Sequence, residues 1–261
     1  MTARSSQESV RLSDGAAIPL IGFGTWQLDG DDAYNGVRAA LDIGYRHIDT
    51  ATAYDNEDKV GAAIRDSGIG RENVFITTKC PPGNAGREAQ TLDASLSALG
   101  VDFVDLWLVH WPPNGEARPD TWKAFIEALE QGKTRAIGVS NYSIAQIDEL
   151  IDVTGHAPAL NQIPWNPFAF SQREVAELQR RQVVLEGYSP LKRSDLGHQV
   201  LAEIAAAHGK TPAQVILRWH VEHGFVVIPR SQRRERIEEN FAVFDFELAP
   251  DELSRLDSLG A

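Results

Sequence analysis

The chain has 261 residues, of which 43% are hydrophobic, and a net charge of −12. This composition excludes a disordered chain and a small disulfide-rich protein, and a single cysteine excludes an intrachain disulfide. The excess of acidic residues disfavours non-specific nucleic-acid binding, because the summed field repels polyanions. No apolar leader and no apolar run of about 18 residues occurs, so we expect a cytoplasmic protein without a membrane span.

The predicted elements begin with a hairpin over residues 10–20, in which Asp14 and Gly15 form a tight turn. After the hairpin, eight short apolar runs alternate with longer stretches of helical period. The runs are IGF at 21–23, HIDT at 47–50, VFITTK at 74–79, FVDLWLVH at 103–110, AIGVS at 136–140, ALNQI at 159–163, VVLEGYS at 183–189 and FVVIP at 225–229. We interpret each run as a strand.

Two of the helical stretches carry their own boundary signals. Pro119 begins one and Gly132 ends it, while Thr211 caps another that Gly224 terminates. A strand followed by a helix, repeated eight times, predicts parallel strands that close into a (β/α)8 TIM barrel. The competing doubly wound sheet would carry a G-x-G-x-x-G turn after its first strand, and the chain has none there. We therefore expect an α/β fold, a TIM barrel with an N-terminal β-hairpin, as a single domain over residues 1–261.

Polar side chains recur where the apolar runs end, and in a barrel this is the face that carries the active site. Asp49, Lys79, His110 and Ser140 follow four consecutive strands at intervals of 30 or 31 residues. We expect them to be neighbours on one rim, with Asp49 and Lys79 paired, because burying either charge alone is costly. The alternative is a purely structural ion pair at the barrel mouth, with His110 as a satisfied neighbour.

Tyr54 lies five residues after Asp49, in a loop that reaches the same rim. An adjacent ammonium stabilises a phenolate, so we expect Lys79 to shift the pKa of Tyr54 down toward useful pH. Asp49 would keep Lys79 charged and His110 would hold a substrate oxygen, which together make a general acid. The sequence contains no serine nucleophile motif and no metal-binding histidine spacing, so we expect no metal.

The segment IPRSQRRERIEEN near the C-terminus concentrates four arginines in an acidic chain. Arg233 and Arg234 fit a solvated helix face. Arg230, Arg236 and the hydroxyl of Ser231 lie around the start of a predicted helix, where the backbone N–H groups favour a phosphate. We interpret this cluster as a local anion site.

Residues at the ends of the fifth to seventh strands offer a different chemistry. Tyr188 can stack on a flat ring. Ser140, Asn141 and Gln162 can form hydrogen bonds to a carboxamide.

The motif GYRHIDTATAYDNEDKVG at 44–61 is followed in order by VFITTK, LWLVHWP, GVSNY, NQ, YSPL and IPRSQRRERIEEN. With these motifs the sequence resembles the aldo-keto reductase family over nearly its whole length. It is most similar in character to short-loop bacterial members such as 2,5-diketo-D-gluconate reductase-like enzymes. The resemblance implies a (β/α)8 barrel that binds NADPH without a Rossmann fold and reduces aldehydes and ketones.

The resemblance also implies roles for individual residues. Tyr54 would be the proton donor, with Asp49, Lys79 and His110 completing a catalytic tetrad, and the substrate would contact Trp26, Tyr54, His110 and Trp111. The nicotinamide half of the cofactor would contact Gly24, Thr25, Trp26 and Asp49, with Ser140, Asn141 and Gln162 on the carboxamide and Tyr188 on the nicotinamide ring. Ser189 and Leu191 would lie along the pyrophosphate. Arg230, Ser231 and Arg236 would bind the 2′-phosphate, with Glu239 and Asn240 near the adenine.

The chain departs from the family pattern at three places. We expect NADPH as cofactor with NADH at lower affinity. Arg230 stands where relatives usually have lysine, and because its guanidinium is bulkier than an ammonium, it leaves the strength of the NADPH preference open. Pro164 and Asn166 replace glutamate and histidine after the sixth strand, which affects local packing and one pocket wall. The loops over the substrate are short, which predicts an open aromatic pocket to which Phe23 and Trp165 also contribute.

We therefore expect a monomeric carbonyl reductase whose partner is a small-molecule carbonyl substrate, with no nucleic acid and no membrane. Two other classes fit part of the pattern. A non-catalytic nucleotide-binding barrel would keep the cofactor residues but would not need all four tetrad residues. A barrel aldolase would use Lys79 as a Schiff-base amine, and it leaves Tyr188 and Arg236 without a role.

Overall fold

An antiparallel hairpin opens the computed structural model, which describes residues 8–260. Its strands are β1 (Ser9–Arg11) and β2 (Ala17–Pro19). Gly15 in the turn has a φ of 93°, a conformation that glycine adopts without steric cost. The carboxylate of Asp14 accepts a hydrogen bond from the backbone N–H of Ile137, at the amino end of a barrel strand. The predicted hairpin is confirmed, and it lies against the face of the barrel opposite the strand ends that carry polar residues.

Eight parallel strands follow the hairpin and form the barrel that the sequence predicts. They are β3 (Phe23–Gly24), β4 (His47–Asp49), β5 (Phe75–Cys80), β6 (Leu106–Val109), β7 (Ile137–Ser140), β8 (Leu160–Pro164), β9 (Val184–Tyr188) and β10 (Val226–Ile228). Neighbours in the chain are neighbours in the sheet from β3 to β10. Backbone hydrogen bonds join the two edges: Gly22 donates to Val227 over 2.9 Å, and Gly24 donates to Pro229 over 3.1 Å. Each predicted run overlaps one strand, with bounds that differ by a few residues, so the TIM barrel is confirmed.

Helices cover the outside of the barrel. They are α1 (Gly30–Ile43), α2 (Glu57–Asp66), α3 (Glu88–Leu99), α4 (Pro119–Glu130), α5 (Ile144–Thr154), α6 (Gln172–Arg180), α7 (Gln199–His208), α8 (Pro212–Glu222), α9 (Arg234–Phe241) and α10 (Pro250–Asp257). One helix follows each strand from β3 to β8, whereas α7 and α8 both lie between β9 and β10, and α9 and α10 both follow β10. Among the described residues no helix has the length and apolar character needed to cross a bilayer.

The ends of α4 and α8 follow the local signals in the sequence. α4 begins at Pro119, and Gly132 in the turn after it has a φ of 71°. Thr211 and Gln214 form a capping box at the start of α8, in which each side chain accepts a hydrogen bond from the other's backbone N–H. Gly224 follows α8 with a φ of 70°. Capping residues and turn glycines therefore set the ends of α4 and α8 independently of tertiary packing.

Large aromatic side chains fill the layer between strands and helices. Trp107 of β6 stacks on Phe125 of α4 with ring centroids 3.6 Å apart, and Trp122 of α4 packs beside Phe125. All three side chains are fully buried. Burial of a side chain such as Phe125 contributes about 1.5–3 kcal/mol, so this contact holds α4 on the barrel.

The backbones of α2 and α3 approach each other closely at Gly61. A Cβ atom at this position would lie 2.1 Å from the carbonyl oxygen of Leu99. We expect Gly61→Ala to lower the free energy of unfolding by about 1–3 kcal/mol, because the two helices must move apart. Gly83→Ala is the matched control, since a Cβ there meets nothing within 4 Å. Urea unfolding of both variants measures the effect, and equal stabilities would contradict the packing described here.

Candidate active site

The carboxyl ends of three neighbouring strands bring four of the predicted side chains together. Asp49 ends β4, Lys79 lies near the end of β5, His110 follows β6, and Tyr54 lies in a short helical turn after β4. Lys79 Nζ donates hydrogen bonds to Asp49 Oδ1 over 2.6 Å, to the Thr50 carbonyl over 2.8 Å and to Tyr54 Oη over 3.4 Å. The rings of Tyr54 and His110 meet edge to face with centroids 5.5 Å apart. These side chains form one contiguous group.

Lys79 keeps its positive charge although it is fully buried. Burial favours the neutral amine, but the Asp49 carboxylate and the Tyr54 oxygen outweigh it, so the pKa of Lys79 lies above its usual value. Three hydrogen-bond acceptors also match the three N–H donors of an ammonium group. The pair therefore supplies a fixed positive charge next to the Tyr54 hydroxyl.

The pKa of Tyr54 is higher than the sequence suggested. Burial of the phenol raises the pKa of Tyr54 and outweighs the ammonium of Lys79, which favours the phenolate; the nearby carboxylate of Asp49 raises it further. The expectation that Lys79 brings this pKa down toward neutrality is therefore wrong, because the loss of solvent is the larger effect. Tyr54 keeps its proton at neutral pH, which is the form that a proton donor needs.

His110 lies half-buried at the rim and is uncharged at neutral pH. Burial, assisted by the positive charge of Lys79, lowers the pKa of its imidazole to about 3. A neutral imidazole has one N–H donor and one acceptor nitrogen. His110 can therefore donate a hydrogen bond to an oxygen placed beside the Tyr54 hydroxyl.

A chain of hydrogen bonds connects the predicted carboxamide residues to the same ion pair. Tyr188 Oη donates to Asn141 Oδ1, Asn141 Nδ2 donates to Ser140 Oγ, and Gln162 Nε2 donates to Asp49 Oδ2, each over 2.9 Å. Ser140 Oγ donates to the Gln162 carbonyl, also over 2.9 Å. Sequence reasoning placed Gln162 on the rim but did not show that it holds Asp49.

The loop after β3 brings an aromatic ring to the rim. Gly24 and Thr25 are buried, and Thr25 Oγ1 donates to the Asp49 carbonyl over 3.0 Å. Trp26 is 43% exposed, and Trp111 in the loop after β6 is 49% exposed. These two indoles leave apolar surface open to a ligand beside the tetrad, as an open aromatic pocket requires.

Asn56 is a positioning residue that sequence reasoning missed. It is fully buried, and its Nδ2 donates to the carbonyls of Thr25 and Leu28 over 3.0 and 2.9 Å, while its Oδ1 accepts from Thr50 Oγ1. Asn56 thereby ties the loop of Trp26 to the loop of Tyr54. The only signal in the sequence was an uncharged side chain within the acidic run DNED.

The loop after β9 reaches across to the loop after β3. Ser189 has a φ of 51°, and Leu191 is partly buried against the core. The exposed Lys192 then places its Nζ 5.1 Å from the ring centroid of Trp26, a cation–π contact. The two loops thus meet at the rim of the barrel.

The predicted phosphate residues lie around the start of α9. Arg230 is exposed and contacts the backbone and side-chain oxygens of Gln27 over 3.4 Å. Ser231 Oγ accepts a hydrogen bond from the backbone N–H of Arg233 over 3.1 Å, which leaves its O–H as a donor. No side chain caps α9, so the backbone N–H groups of Arg234 and Glu235 at its start are available as donors for an anion.

Part of the Arg236 guanidinium group is bonded within the protein, and part of it is free to bind a ligand. Its Nη1 donates to both carboxylate oxygens of Glu239 over 2.7 and 3.0 Å, and Glu239 also accepts from Thr211 Oγ1. The Nε and Nη2 groups of Arg236 have no partner in the described part of the chain. Asn240 beside them is 5% exposed. Glu239 thus fixes the direction in which Arg236 presents its remaining donors.

Two aromatic residues lie in the core and not in the pocket. Phe23 is 1% exposed and packs edge-on against Tyr45 with centroids 6.0 Å apart. Trp165 is 3% exposed and packs edge-on against Phe225. The expectation that Phe23 and Trp165 line the pocket is therefore wrong, because both rings turn away from the rim into apolar surroundings.

The departures from the family pattern after β8 build a local turn. Pro164 is the last residue of β8, where a missing N–H interrupts the strand ladder least. Asn166 is 2% exposed, and its Oδ1 accepts a hydrogen bond from the backbone N–H of Phe168 over 2.9 Å. The side chain of Asn166 is thus used to cap the next turn and does not form a pocket wall.

The chemistry of the rim is that of a proton donor beside a fixed cation. Tyr54 carries the proton, Lys79 is the cation, and His110 offers a neutral N–H. Within residues 8–260, no group of three or more His, Cys, Asp or Glu side chains is arranged to hold a metal ion.

Known proteins are similar to this chain along almost its full length. Residues 20–261 match the sequence model of the Aldo/keto reductase family. An aldo-keto reductase of Mycolicibacterium smegmatis is 45% identical over 255 residues, covering 96% of this chain and 92% of the relative. Methylglyoxal reductase DkgA of Salmonella typhimurium is 41% identical over 254 residues with the same coverage. The crystal structure of an aldo/keto reductase from Brucella melitensis superimposes with a TM-score of 0.93 at 42% identity, covering 97% of this chain and 100% of that one.

The ion pair of Lys79 and Asp49 can be tested through stability. We expect Lys79→Met to lower the free energy of unfolding by about 3–5 kcal/mol, because it leaves a buried carboxylate without its cation. The double variant with Asp49→Asn should lose less than the sum of the two single variants. Lys133→Met, which breaks an exposed pair with Asp93, is the control and should cost about 1 kcal/mol or less. Additive losses in urea unfolding would show that the two groups do not interact.

Proposed function

The chain belongs to the aldo-keto reductase family, and on this premise we propose that it reduces aldehyde or ketone carbonyls with NADPH, using Tyr54 as the proton donor. Family membership makes the protein an NAD(P)H-dependent oxidoreductase. The observation that carries the proposal is the contact of the Lys79 ammonium with both Asp49 and Tyr54. A buried cation beside a protonated phenol is the arrangement that a carbonyl oxygen needs when it gains negative charge.

The residues at the rim and at the start of α9 fit an extended dinucleotide. Ser231, Arg230 and Arg236 at the uncapped start of α9 provide a hydroxyl, two guanidinium groups and backbone N–H donors, which suit a phosphate monoester. At the carboxyl ends of β9 and β7, Tyr188 offers a half-buried ring and Asn141 a side-chain amide, which suit a nicotinamide and its carboxamide. A reduced nicotinamide, when bound, supplies the hydride for the carbonyl carbon.

Tyr54 protonates the substrate oxygen as that oxygen becomes basic. A phenol with a raised pKa is a poor acid toward a neutral carbonyl, but an alkoxide is a far stronger base and takes the proton. The proton moves from Tyr54 Oη to the oxygen, and the Lys79 ammonium 3.4 Å away stabilises the phenolate that is left. Asp49 keeps Lys79 charged, and the neutral His110 orients the oxygen through its N–H group.

The open rim favours small carbonyl compounds. Trp26 and Trp111 present exposed apolar surface, and in the described chain short segments connect β3 to α1 and β6 to α4. A relative that is 41% identical bears the name methylglyoxal reductase, so we propose small aldehydes and dicarbonyl compounds, methylglyoxal among them, as the substrate class. That the enzyme acts as a monomer in the cytoplasm stays a prediction from the sequence.

The geometry argues against the aldolase alternative. A Schiff-base lysine attacks as a neutral amine. Lys79 donates three hydrogen bonds and has a pKa above its usual value, so its lone pair is occupied by a proton. The Tyr54→Phe variant described next distinguishes a non-catalytic barrel from the proposed reductase.

Removal of the Tyr54 hydroxyl tests the proton donor. We expect Tyr54→Phe to lower kcat/KM for carbonyl reduction by at least about 100-fold, because the neutral imidazole of His110, the other group that touches the oxygen, is a far weaker acid than the phenol. NADPH binding should stay within about twofold, since the phenol is outside the phosphate site. Tyr34→Phe, which removes a surface hydroxyl bonded to Asp66, is the control. NADPH oxidation across a carbonyl panel measures the rate, and full turnover by Tyr54→Phe would refute the assignment.

Removal of the Arg236 guanidinium tests the cofactor preference. We expect Arg236→Ala to weaken NADPH binding by about 10- to 100-fold, the worth of one charge-assisted hydrogen bond to a phosphate. NADH lacks the 2′-phosphate and should lose little. Arg233→Ala is the matched control from the same segment, because its side chain lies exposed in solvent. Fluorescence titration with both cofactors gives the dissociation constants, and equal losses for NADPH and NADH would exclude the 2′-phosphate role.

A further inference from the structure

The interior of the barrel holds a second carboxyl group one layer below the tetrad. Glu186 of β9 is fully buried, and neither of its carboxyl oxygens has a hydrogen-bond partner in the described chain. It precedes Tyr188 by two residues, just as His47 precedes Asp49 and Thr77 precedes Lys79. Residues two apart on a strand point to the same face, so these three side chains form a layer beneath the rim.

Several charged and titratable groups face Glu186 from the surrounding strands. His47 Nε2 of β4 lies 3.9 Å from Glu186 Oε1 and 3.1 Å from Thr77 Oγ1. Asp49 of β4 and Lys79 of β5 act on it electrostatically from the layer above, and the uncharged Gln162 lies opposite it on β8. On its other side β10 contributes the apolar Val226. His47 is uncharged, because burial and Lys79 lower its pKa to about 3.

The charges inside the barrel balance only if one of the two carboxyl groups is protonated. Among residues 8–260, Lys79 is the single cation inside the barrel, and Asp49 holds it at 2.6 Å while accepting a further hydrogen bond from Gln162. Neither oxygen of Glu186 has a donor within hydrogen-bond distance, because the nearby Gln162 amide donates to Asp49 instead. A buried carboxylate without a donor or a cation is far less stable than its protonated form. The geometry therefore places the proton on Glu186 and the negative charge on Asp49.

We propose that Glu186 is a positioning residue that acts through Lys79 to set how firmly Tyr54 holds its proton. This inference rests on the proposed reductase function. While Glu186 is neutral, Asp49 is the one carboxylate that offsets the charge of Lys79. The positive potential of Lys79 then stabilises the phenolate form of Tyr54. When Glu186 loses its proton, a second negative charge inside the barrel offsets Lys79, and the phenolate of Tyr54 is less stable. Tyr54 then becomes a weaker acid toward the substrate oxygen.

The direction of the pH effect follows from the protonation states. Burial and the charge of Asp49 raise the pKa of Glu186 to about 8, against the opposing influence of Gln162 and Lys79. Below this pH Glu186 is neutral and Tyr54 is a competent acid. Above it Glu186 is charged, so we expect kcat/KM for carbonyl reduction to fall as pH rises through about 8. The phenol itself titrates at higher pH.

Glu186→Gln separates these two titrations. The glutamine is neutral at every pH, so the variant should match the wild type near pH 7 and keep its activity to higher pH. We expect the alkaline limb of kcat/KM, measured at saturating NADPH, to move up by about one pH unit or more. Glu88→Gln is the matched control, because Glu88 is also a buried carboxyl group but bonds to Thr121 on the outer helices. Its profile should stay that of the wild type.

A second readout does not need turnover. Carbon-13 labelling of glutamate Cδ and tyrosine Cζ reports the titration of Glu186 and of Tyr54, each assigned by the signal lost in Glu186→Gln or Tyr54→Phe. We expect the Glu186 carboxyl to titrate near pH 8 and the Tyr54 phenol to titrate at lower pH in Glu186→Gln than in the wild type. If the glutamine variant does not fold, Glu186→Leu serves the same comparison.

The outcomes separate the inference from the function on which it rests. Absence of carbonyl reduction by the wild type would refute the proposed function, while the two NMR titrations would still decide the coupling of Glu186 to Tyr54. An alkaline limb at the same pH in Glu186→Gln and wild type overturns the inference even if reduction is robust. A Glu186 carboxyl that titrates near the usual glutamate pKa, or a Tyr54 titration that the variant leaves in place, overturns it as well.

Discussion

The ion pair between Lys79 and Asp49 is the constraint on which the rest of the site depends. Neither charge is stable alone inside the barrel, and a buried pair needs hydrogen bonds to its remaining donors and acceptors. The Thr50 carbonyl and the Gln162 amide supply those bonds. The second interior carboxyl, Glu186, then has no cation of its own and is stable only with its proton. One pair thus dictates the protonation of its neighbours.

The same pair connects the two halves of the proposed reaction. Lys79 contacts the phenol of Tyr54, while Asp49 accepts from Gln162, whose backbone holds Ser140 in the proposed nicotinamide subsite. A shift of either charge would move both the proton donor and the cofactor residues. Such a compact network reduces the reorganisation required when charge develops on the substrate oxygen.

Backbone strain is concentrated in the loops at this rim. Gln27, Asp55, Asn141 and Ser189 all have φ between 51° and 64°, and each follows the carboxyl end of a barrel strand. Left-handed backbone costs a residue with a side chain about 1–2 kcal/mol. The surrounding hydrogen bonds maintain it, as those of Asn56 do for the loops of Trp26 and Tyr54. The loops are therefore shaped before any ligand binds.

The sequence by itself determined the order of strands, the hairpin, the ends of α4 and α8, and the rim position of Asp49, Lys79 and His110. These features depend on local periodicity, on capping residues and on a repeat of about 30 residues, all of which are visible along the chain. Only the tertiary structure decided that burial outweighs Lys79 in setting the pKa of Tyr54 and that Gln162 holds Asp49. It also decided that Phe23 and Trp165 lie in the core and that Glu186 is left without a hydrogen-bond partner. Desolvation and charge balance depend on every strand that surrounds a side chain, and residues far apart in the sequence supply those neighbours.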